Sequence, residues 1–238
     1  MTDYRCVAIV VGGTGLIGTA VTSALLHADC SVVVVARGQS PISSSLSSSS
    51  LLAPQHRLMI HKADMTLESD VRDCFAQVKS DMGRLDYLIY SAGFAPDADI
   101  PLAAYSTAAW LKTLNTYVTG FFLCFRESLQ VMEKTGHIVA VSSAVTRFRA
   151  NALPPIYAGH YAAAKAALDE LCKWGKREAA ERGILLSRIA PGAVDSPVHR
   201  TAPVHLRPSA MVPVSVVSEK IIAALLSGEE IDEVVVAA

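Results

Sequence analysis

Short runs of β-branched and other apolar residues alternate along the chain with longer segments of helical periodicity. Cys6 to Val11 is apolar without interruption, the pattern of a strand covered on both faces rather than on one. A glycine-rich turn follows, then helical spacing from Leu16 to Ala28 and a second β-branched run from Ser31 to Ala36. Strand character returns at Arg57 to Ala63 and again at Leu85 to Tyr90, with an amphipathic segment over Glu68 to Ser80 between them. A long helical stretch covers Thr107 to Met132, and His137 to Val141 reads as a fifth strand. Tyr161 to Glu181 is rich in Ala, Lys, Glu and Leu and predicts a strong helix. Ile184 to Ile189, a helix over Val216 to Leu226 and a final strand at Glu233 to Val236 complete the alternation.

That rhythm predicts parallel βαβ units, so the expected fold is α/β: a Rossmann-type doubly wound parallel sheet of about seven strands with helices on both faces. The 238 residues suit a single domain, 1–238, and neither repeat nor linker divides them. Serine dominates between Gly38 and Pro54, where it competes for backbone hydrogen bonds and predicts an irregular excursion.

Composition narrows the function classes. Half the residues (51%) are hydrophobic, so a sizeable core is available, and the net charge of −1 argues against non-specific binding to nucleic acid or an anionic membrane. No stretch reaches the ~18 consecutive apolar residues of a membrane span, and the first residues lack the pattern of a secretion signal. A cytoplasmic location is therefore expected. The five cysteines are scattered, with no CxxC and no Cys/His cluster. This predicts buried free thiols, with no disulfide framework and no metal site.

Candidate chemistry begins at the first turn. Gly12, Gly15 and Gly18 follow the first strand as GxxGxxG and open a helix. Absent side chains let the backbone approach a pyrophosphate, and the free N–H groups at the helix start hold the anion. Gly12, Thr14, Gly15, Leu16, Ile17 and Gly18 are the candidate phosphate-side residues. An acidic residue at the end of the second strand would favour NAD by bonding the adenosine ribose. Arg37 stands there instead, and a guanidinium suits a 2′-phosphate. NADP(H) is expected over NAD(H).

Tyr161 and Lys165 lie one helical turn apart on one face. A free phenol, with a pKa near ~10, is a poor proton donor and acceptor at neutral pH. A neighbouring ammonium favours its ionised form.

Together these pieces resemble the short-chain dehydrogenase/reductase family over nearly the whole chain. The glycine turn, Asp64 after the third strand and Ser91-Ala92-Gly93 after the fourth carry the resemblance. So do Asn115, Ser142-Ser143, Tyr161 with Lys165, and Pro191-Gly192-Ala193-Val194-Asp195-Ser196, in the family's order. By position the resemblance implies a catalytic set of Asn115, Ser143, Tyr161 and Lys165. Ser143 would bond the substrate oxygen and Tyr161 would give or take its proton. Lys165 would hold the nicotinamide ribose and lower the phenol's pKa, and Asn115 would anchor a water linking Lys165 to solvent. Asp64 and Met65 would sit against the adenine, with Ser91, Ala92 and Gly93 beside the cofactor. Pro191, Gly192, Val194 and Ser196 would meet the nicotinamide end, under a substrate lid over 196–213. Leu16 stands where the family's shorter members usually carry glycine, and Tyr90-Ser91 where they carry two asparagines. A stretch longer than the family's separates Ser143 from Tyr161; Tyr157 lies within it but has no lysine four residues on.

The implied function is NADPH-dependent interconversion of a carbonyl and an alcohol on a small to mid-sized organic substrate. The family also implies a homodimer or homotetramer paired through the two long helices. Two other readings stay open: an NADP-binding sensor or scaffold without turnover, and a non-redox isomerase or cyclase.

Overall fold

The computed structural model describes residues 5–38, 57–94, 100–148, 158–202 and 208–236. Seven strands form one sheet: β1 (Cys6–Val11), β2 (Cys30–Ala36), β3 (Leu58–Lys62), β4 (Tyr87–Tyr90), β5 (His137–Val141), β6 (Leu185–Pro191) and β7 (Asp232–Val235). Their order is β3-β2-β1-β4-β5-β6-β7, and every pairing is parallel. This is the doubly wound arrangement that the alternation predicted.

The apolar runs explain why the sheet is covered on both sides. All of β1 is buried. Val7, Ile9 and Val11 enter one core with Phe75, Phe121 and Leu168, while Cys6, Ala8 and Val10 enter the other with Leu25, Ile221 and Leu225. The first face carries α2 (Glu68–Met82), α4 (Gly120–Val131) and α5 (Gly159–Ala180); the second carries α1 (Leu16–His27) and α7 (Val214–Ser227). β3 and β7 close the two edges and are correspondingly less buried.

Two features depart from expectation. The long helix is not continuous: α3 (Thr107–Leu114) joins α4 through a π turn over Asn115–Thr119. The wider turn shifts the face each later residue presents. Tyr90 accounts for its neighbourhood, since its hydroxyl donates to the Thr116 carbonyl at 2.6 Å, and a Cβ on Gly120 would lie 2.3 Å from that hydroxyl. Secondly, Cys6 and Cys30 are joined in a disulfide, which corrects the expectation of five free thiols. Parallel pairing sets these two residues directly opposite each other at the starts of β1 and β2. Cys74, Cys124 and Cys172 are free and buried.

The serine-rich excursion lies within residues 39–56, outside the described residues. Tyr157 and most of the stretch from Thr146 to Ile156 are also outside them, as are residues 203–207 of the expected lid. None of the described helices is long and apolar enough to cross a membrane.

Candidate active site

Because all strands run one way, their C-terminal ends share one edge, and the chain reverses its direction of winding between β1 and β4. Ligands of open α/β sheets bind at such a switch point. An open crevice lies there, walled by Gly12, Thr14 and Gly15 after β1, Arg37 after β2, Asp64, Met65 and Thr66 after β3, and Ser91, Ala92 and Gly93 after β4. Thr116 from the π turn also lines it.

The glycine turn fits a dinucleotide phosphate. Gly12 has φ +76°, and a Cβ there would lie 2.7 Å from the Ala92 backbone. A Cβ on Gly18 would meet the Gly12 carbonyl at 2.3 Å. Gly12 therefore needs glycine for the β1–α1 turn to pack against the β4 loop, and Gly18 needs it for the turn to close on itself. Gly15 caps α1 without a side-chain hydrogen bond, and the first intrahelical bond runs from the Thr19 N–H to the Gly15 carbonyl. The N–H groups of Leu16, Ile17 and Gly18 thus precede the helix ladder and suit an anion.

Other predicted contacts are placed more specifically than expected. The Ser91 hydroxyl donates to the Val11 carbonyl at 2.9 Å and ties β4 to β1. One Asp64 carboxylate oxygen accepts from the Thr66 N–H and hydroxyl, at 3.0 and 2.8 Å, and so shapes its own turn. The Met65 side chain points into the core, against the Cys124 thiol. Pro191 ends β6. Gly192 donates to the Val235 carbonyl at 2.7 Å, Val194 bridges to Val212, and Ser196 caps α6 (Pro197–Thr201).

Three of the four proposed catalytic residues come together. Tyr161 and Lys165 share one face of α5, and Ser143 stands near enough to the Tyr161 phenol to favour its ionised form. Ser143 follows β5 and caps the short turn Ala144–Arg147 by accepting from the Val145 N–H. The adjoining Ser142 hydroxyl donates to Asp169, and the Thr146 hydroxyl donates to the same carboxylate at 2.8 Å. Arg188, buried on β6, reaches it at 3.3 Å and also pairs with Asp232. Asp169 therefore braces the turn that presents Ser143, a role missed in the sequence. Its position one turn beyond Lys165 on the same helix was the available signal.

Asn115 is the exception. It is exposed, and its side chain accepts from Thr119 within the π turn rather than approaching Lys165. Tyr117 is the π-turn residue that faces Lys165, whose Nζ lies 4.4 Å from the Tyr117 ring centroid. Tyr117 meets Tyr161 edge-on at 5.3 Å between centroids, and a Cβ on Gly93 would touch its ring at 3.1 Å. Tyr117 thus connects Tyr161 and Lys165 to the Gly93 end of the crevice.

Electrostatics also differ from expectation. Burial pushes the Tyr161 phenol above its ordinary pKa, and the Ser143 side chain offsets part of this. Burial brings Lys165 down to about 7, opposed by Asp169. Its Nζ donates to the Val141 carbonyl at 2.8 Å. The expected lowering of the phenol by the lysine is not produced by the chain's own groups, because desolvation penalises both charged forms.

Residues 6–205 match the family model described as short chain dehydrogenase. The chain belongs to the short-chain dehydrogenase family. A cis-4-hydroxycyclohexanecarboxylate dehydrogenase from Sinomonas cyclohexanicum is 30% identical over 84% of this chain and 78% of its own. Dehydrogenase/reductase SDR family member 11 from Homo sapiens is 29% identical over 79% of this chain and 73% of its own. Among solved structures, a dehydrogenase/reductase from Sinorhizobium meliloti 1021 superposes with a TM-score of 0.84, covering 98% of this chain and 94% of its own at 18% identity. A short-chain dehydrogenase/reductase from Serratia marcescens superposes at 0.81 over 100% of this chain and 98% of its own, also at 18% identity. These structures share the fold of this short-chain dehydrogenase; as a family member it is an oxidoreductase that uses a nicotinamide cofactor.

Proposed function

We propose that this chain is an NADP(H)-dependent oxidoreductase interconverting a carbonyl and an alcohol, with Tyr161 as general acid and base. The observation that carries the reading is the meeting of Tyr161, Lys165 and Ser143 at the sheet edge that also presents the glycine turn and Arg37. When bound in the crevice, a nicotinamide donates hydride in reduction and accepts it in oxidation. The chain's own groups manage the oxygen. Ser143 donates to the substrate oxygen, and Tyr161 protonates it as the carbon is reduced. Burial keeps the Tyr161 phenol protonated at neutral pH, which is the form that donates, and at the same time makes it a weaker acid than a free phenol. Lys165 orients the nicotinamide ribose, and the Gly12–Gly18 turn takes the pyrophosphate. Arg37, exposed on the crevice wall, takes the 2′-phosphate that separates NADP from NAD.

Two relatives are named as dehydrogenases of hydroxylated six-membered carbocycles, the Sinomonas protein and a 2,5-dichloro-2,5-cyclohexadiene-1,4-diol dehydrogenase from Sphingobium indicum. Cyclic ketones and secondary alcohols are therefore the first substrates to test. Phe122 on α4 and Trp174 on α5 are large and exposed, which supports pairing of copies through these helices; light scattering tests this.

The experiment is oxidation of NADPH and of NADH against a panel of cyclic and open-chain carbonyls, wild type beside Tyr161→Phe. The reading expects turnover with NADPH and a loss of at least about 100-fold in the variant. Unchanged turnover in Tyr161→Phe removes the phenol from its role. Tight NADPH binding with no hydride transfer would point to a sensor, and products without net redox change to an isomerase or cyclase.

A further inference from the structure

We propose that Tyr117 is a positioning residue of this site: its ring seats the Lys165 side chain, its edge bears on Tyr161, and its hydroxyl ties both to the Phe94 backbone at the crevice wall. The inference rests on the reading of Tyr161 and Lys165 as the working pair.

Lys165 Nζ stands 4.4 Å from the Tyr117 centroid and 5.7 Å from that of Tyr161, so the nearer ring belongs to the π turn and not to its own helix. One N–H is taken by the Val141 carbonyl. The negative face of the Tyr117 ring gives the rest of the ammonium an attractive, water-poor surface. The ring itself is held firmly. It is 3% exposed, and its hydroxyl donates to the Phe94 carbonyl at 2.6 Å while accepting from the Phe94 N–H at 3.1 Å. The Phe94 ring stacks on it with centroids 5.6 Å apart. Phe94 follows Gly93, which lines the crevice and whose missing side chain leaves room for the Tyr117 edge. A leucine at this position would fill the core but offer neither a face for an ammonium nor a hydroxyl for Phe94. Aromatic packing alone therefore does not account for the arrangement.

The groups facing Lys165 among the described residues come from three elements. Tyr161, Asp169 and Cys172 lie on its own helix, Tyr117 comes from the π turn and the Val141 carbonyl from β5. Asp169 is engaged by Ser142, Thr146 and Arg188. Burial disfavours the ammonium, whereas Asp169 and the Tyr117 ring favour it.

The test is a carbon-detected NMR titration of the Lys165 Cε signal in the cofactor-free chain, for wild type, Tyr117→Phe and Tyr117→Leu. Tyr117→Leu is expected to lower the protonation constant of Lys165 about tenfold, moving its midpoint down by about one pH unit. Tyr117→Phe keeps the ring face and holds the midpoint within about 0.3 unit, while the Phe94 amide exchanges faster because its acceptor is gone. A wild-type midpoint in Tyr117→Leu overturns the proposal. Should the leucine variant fail to fold, Tyr117→Phe with a perfluorinated ring introduced at that position retains the shape but reverses the ring's electrostatics. Its midpoint must fall, and an unmoved midpoint overturns the proposal equally. In turnover, Tyr117→Leu is expected to lower kcat about tenfold while substrate KM stays within about threefold. Because the titration needs no turnover, an inactive wild type would refute the proposed function and leave the seat of Lys165 separately decided.

Discussion

Replacing Asp169 removes a carboxylate that holds three elements at once, and the structure gives the size of the effect. Its partners are the Ser142 hydroxyl, the Thr146 hydroxyl at 2.8 Å and the Arg188 guanidinium at 3.3 Å. The Arg188 side chain is 3% exposed and that of Asp169 19%. Breaking a buried pair costs about 3–5 kcal/mol when the surviving charge is stranded. Here Arg188 keeps Asp232, which is half-exposed, so the lower end of that range applies to Asp169→Ala. A loss of about 3 kcal/mol corresponds to a Tm lower by about 6–12 °C for a chain of this size. Asp169→Asn keeps one acceptor oxygen, enough for one of the two hydroxyls, and no longer offsets the guanidinium, so a loss close to that of the alanine variant, about 2–3 kcal/mol, is expected. Differential scanning calorimetry and urea unfolding measure both. If both variants melt within about 1 °C of wild type, the carboxylate does not brace the turn after β5 and the reasoning fails.

His137 is buried, its Nε2 lies 2.7 Å from the Ser187 hydroxyl, and its pKa is pushed down to about 4 by burial. Between there and the ordinary imidazole value of 6.5 the unfolded chain binds a proton that the folded chain refuses. Stability should thus fall by about 3 kcal/mol as pH drops through this window; a urea midpoint that stays flat from pH 6.5 to 4 would contradict this. Lys165 acts in the opposite window: lowered to about 7 from 10.5, it makes stability rise with pH above about 7, a trend that Lys165→Met should flatten. Arg37→Ala is expected to raise KM for NADPH by about 30-fold with little change for NADH, the loss of a charge-assisted phosphate contact; equal effects on both cofactors would remove Arg37 from its role. Gly18→Ala drives a Cβ to 2.3 Å from the Gly12 carbonyl, so calorimetric titration should show cofactor affinity lost. Wild-type affinity there would mean that the turn adapts.

Much of this was legible because the signals are local. Continuous apolar runs in β1 and β2 can be buried only by layers on both faces, and a glycine turn between strand and helix has few physical alternatives. The meeting of Tyr161 and Lys165 followed from helical spacing alone. The π turn was not legible. A single wide turn leaves the apolar stripe of Thr113, Tyr117, Phe121 and Cys124 looking helical, yet it turns Asn115 to solvent and Tyr117 to the lysine. The bulky Tyr117 within that stripe was the clue. The Cys6–Cys30 pairing depends on strand register, which no spacing along the chain encodes. Nor did charge spacing show that burial would outweigh the attraction between Lys165 and the phenol. That depends on how dry the site is.

The most direct test of the central claim is a single-turnover reaction with NADPH carrying deuterium at both positions of nicotinamide C4, followed by mass spectrometry of the alcohol formed from a ketone found in the substrate panel. Deuterium on the carbinol carbon with wild type, and its near absence with Tyr161→Phe over the same interval, is the predicted result. Deuterated alcohol formed at equal rates by both proteins, or alcohol without deuterium, would contradict it.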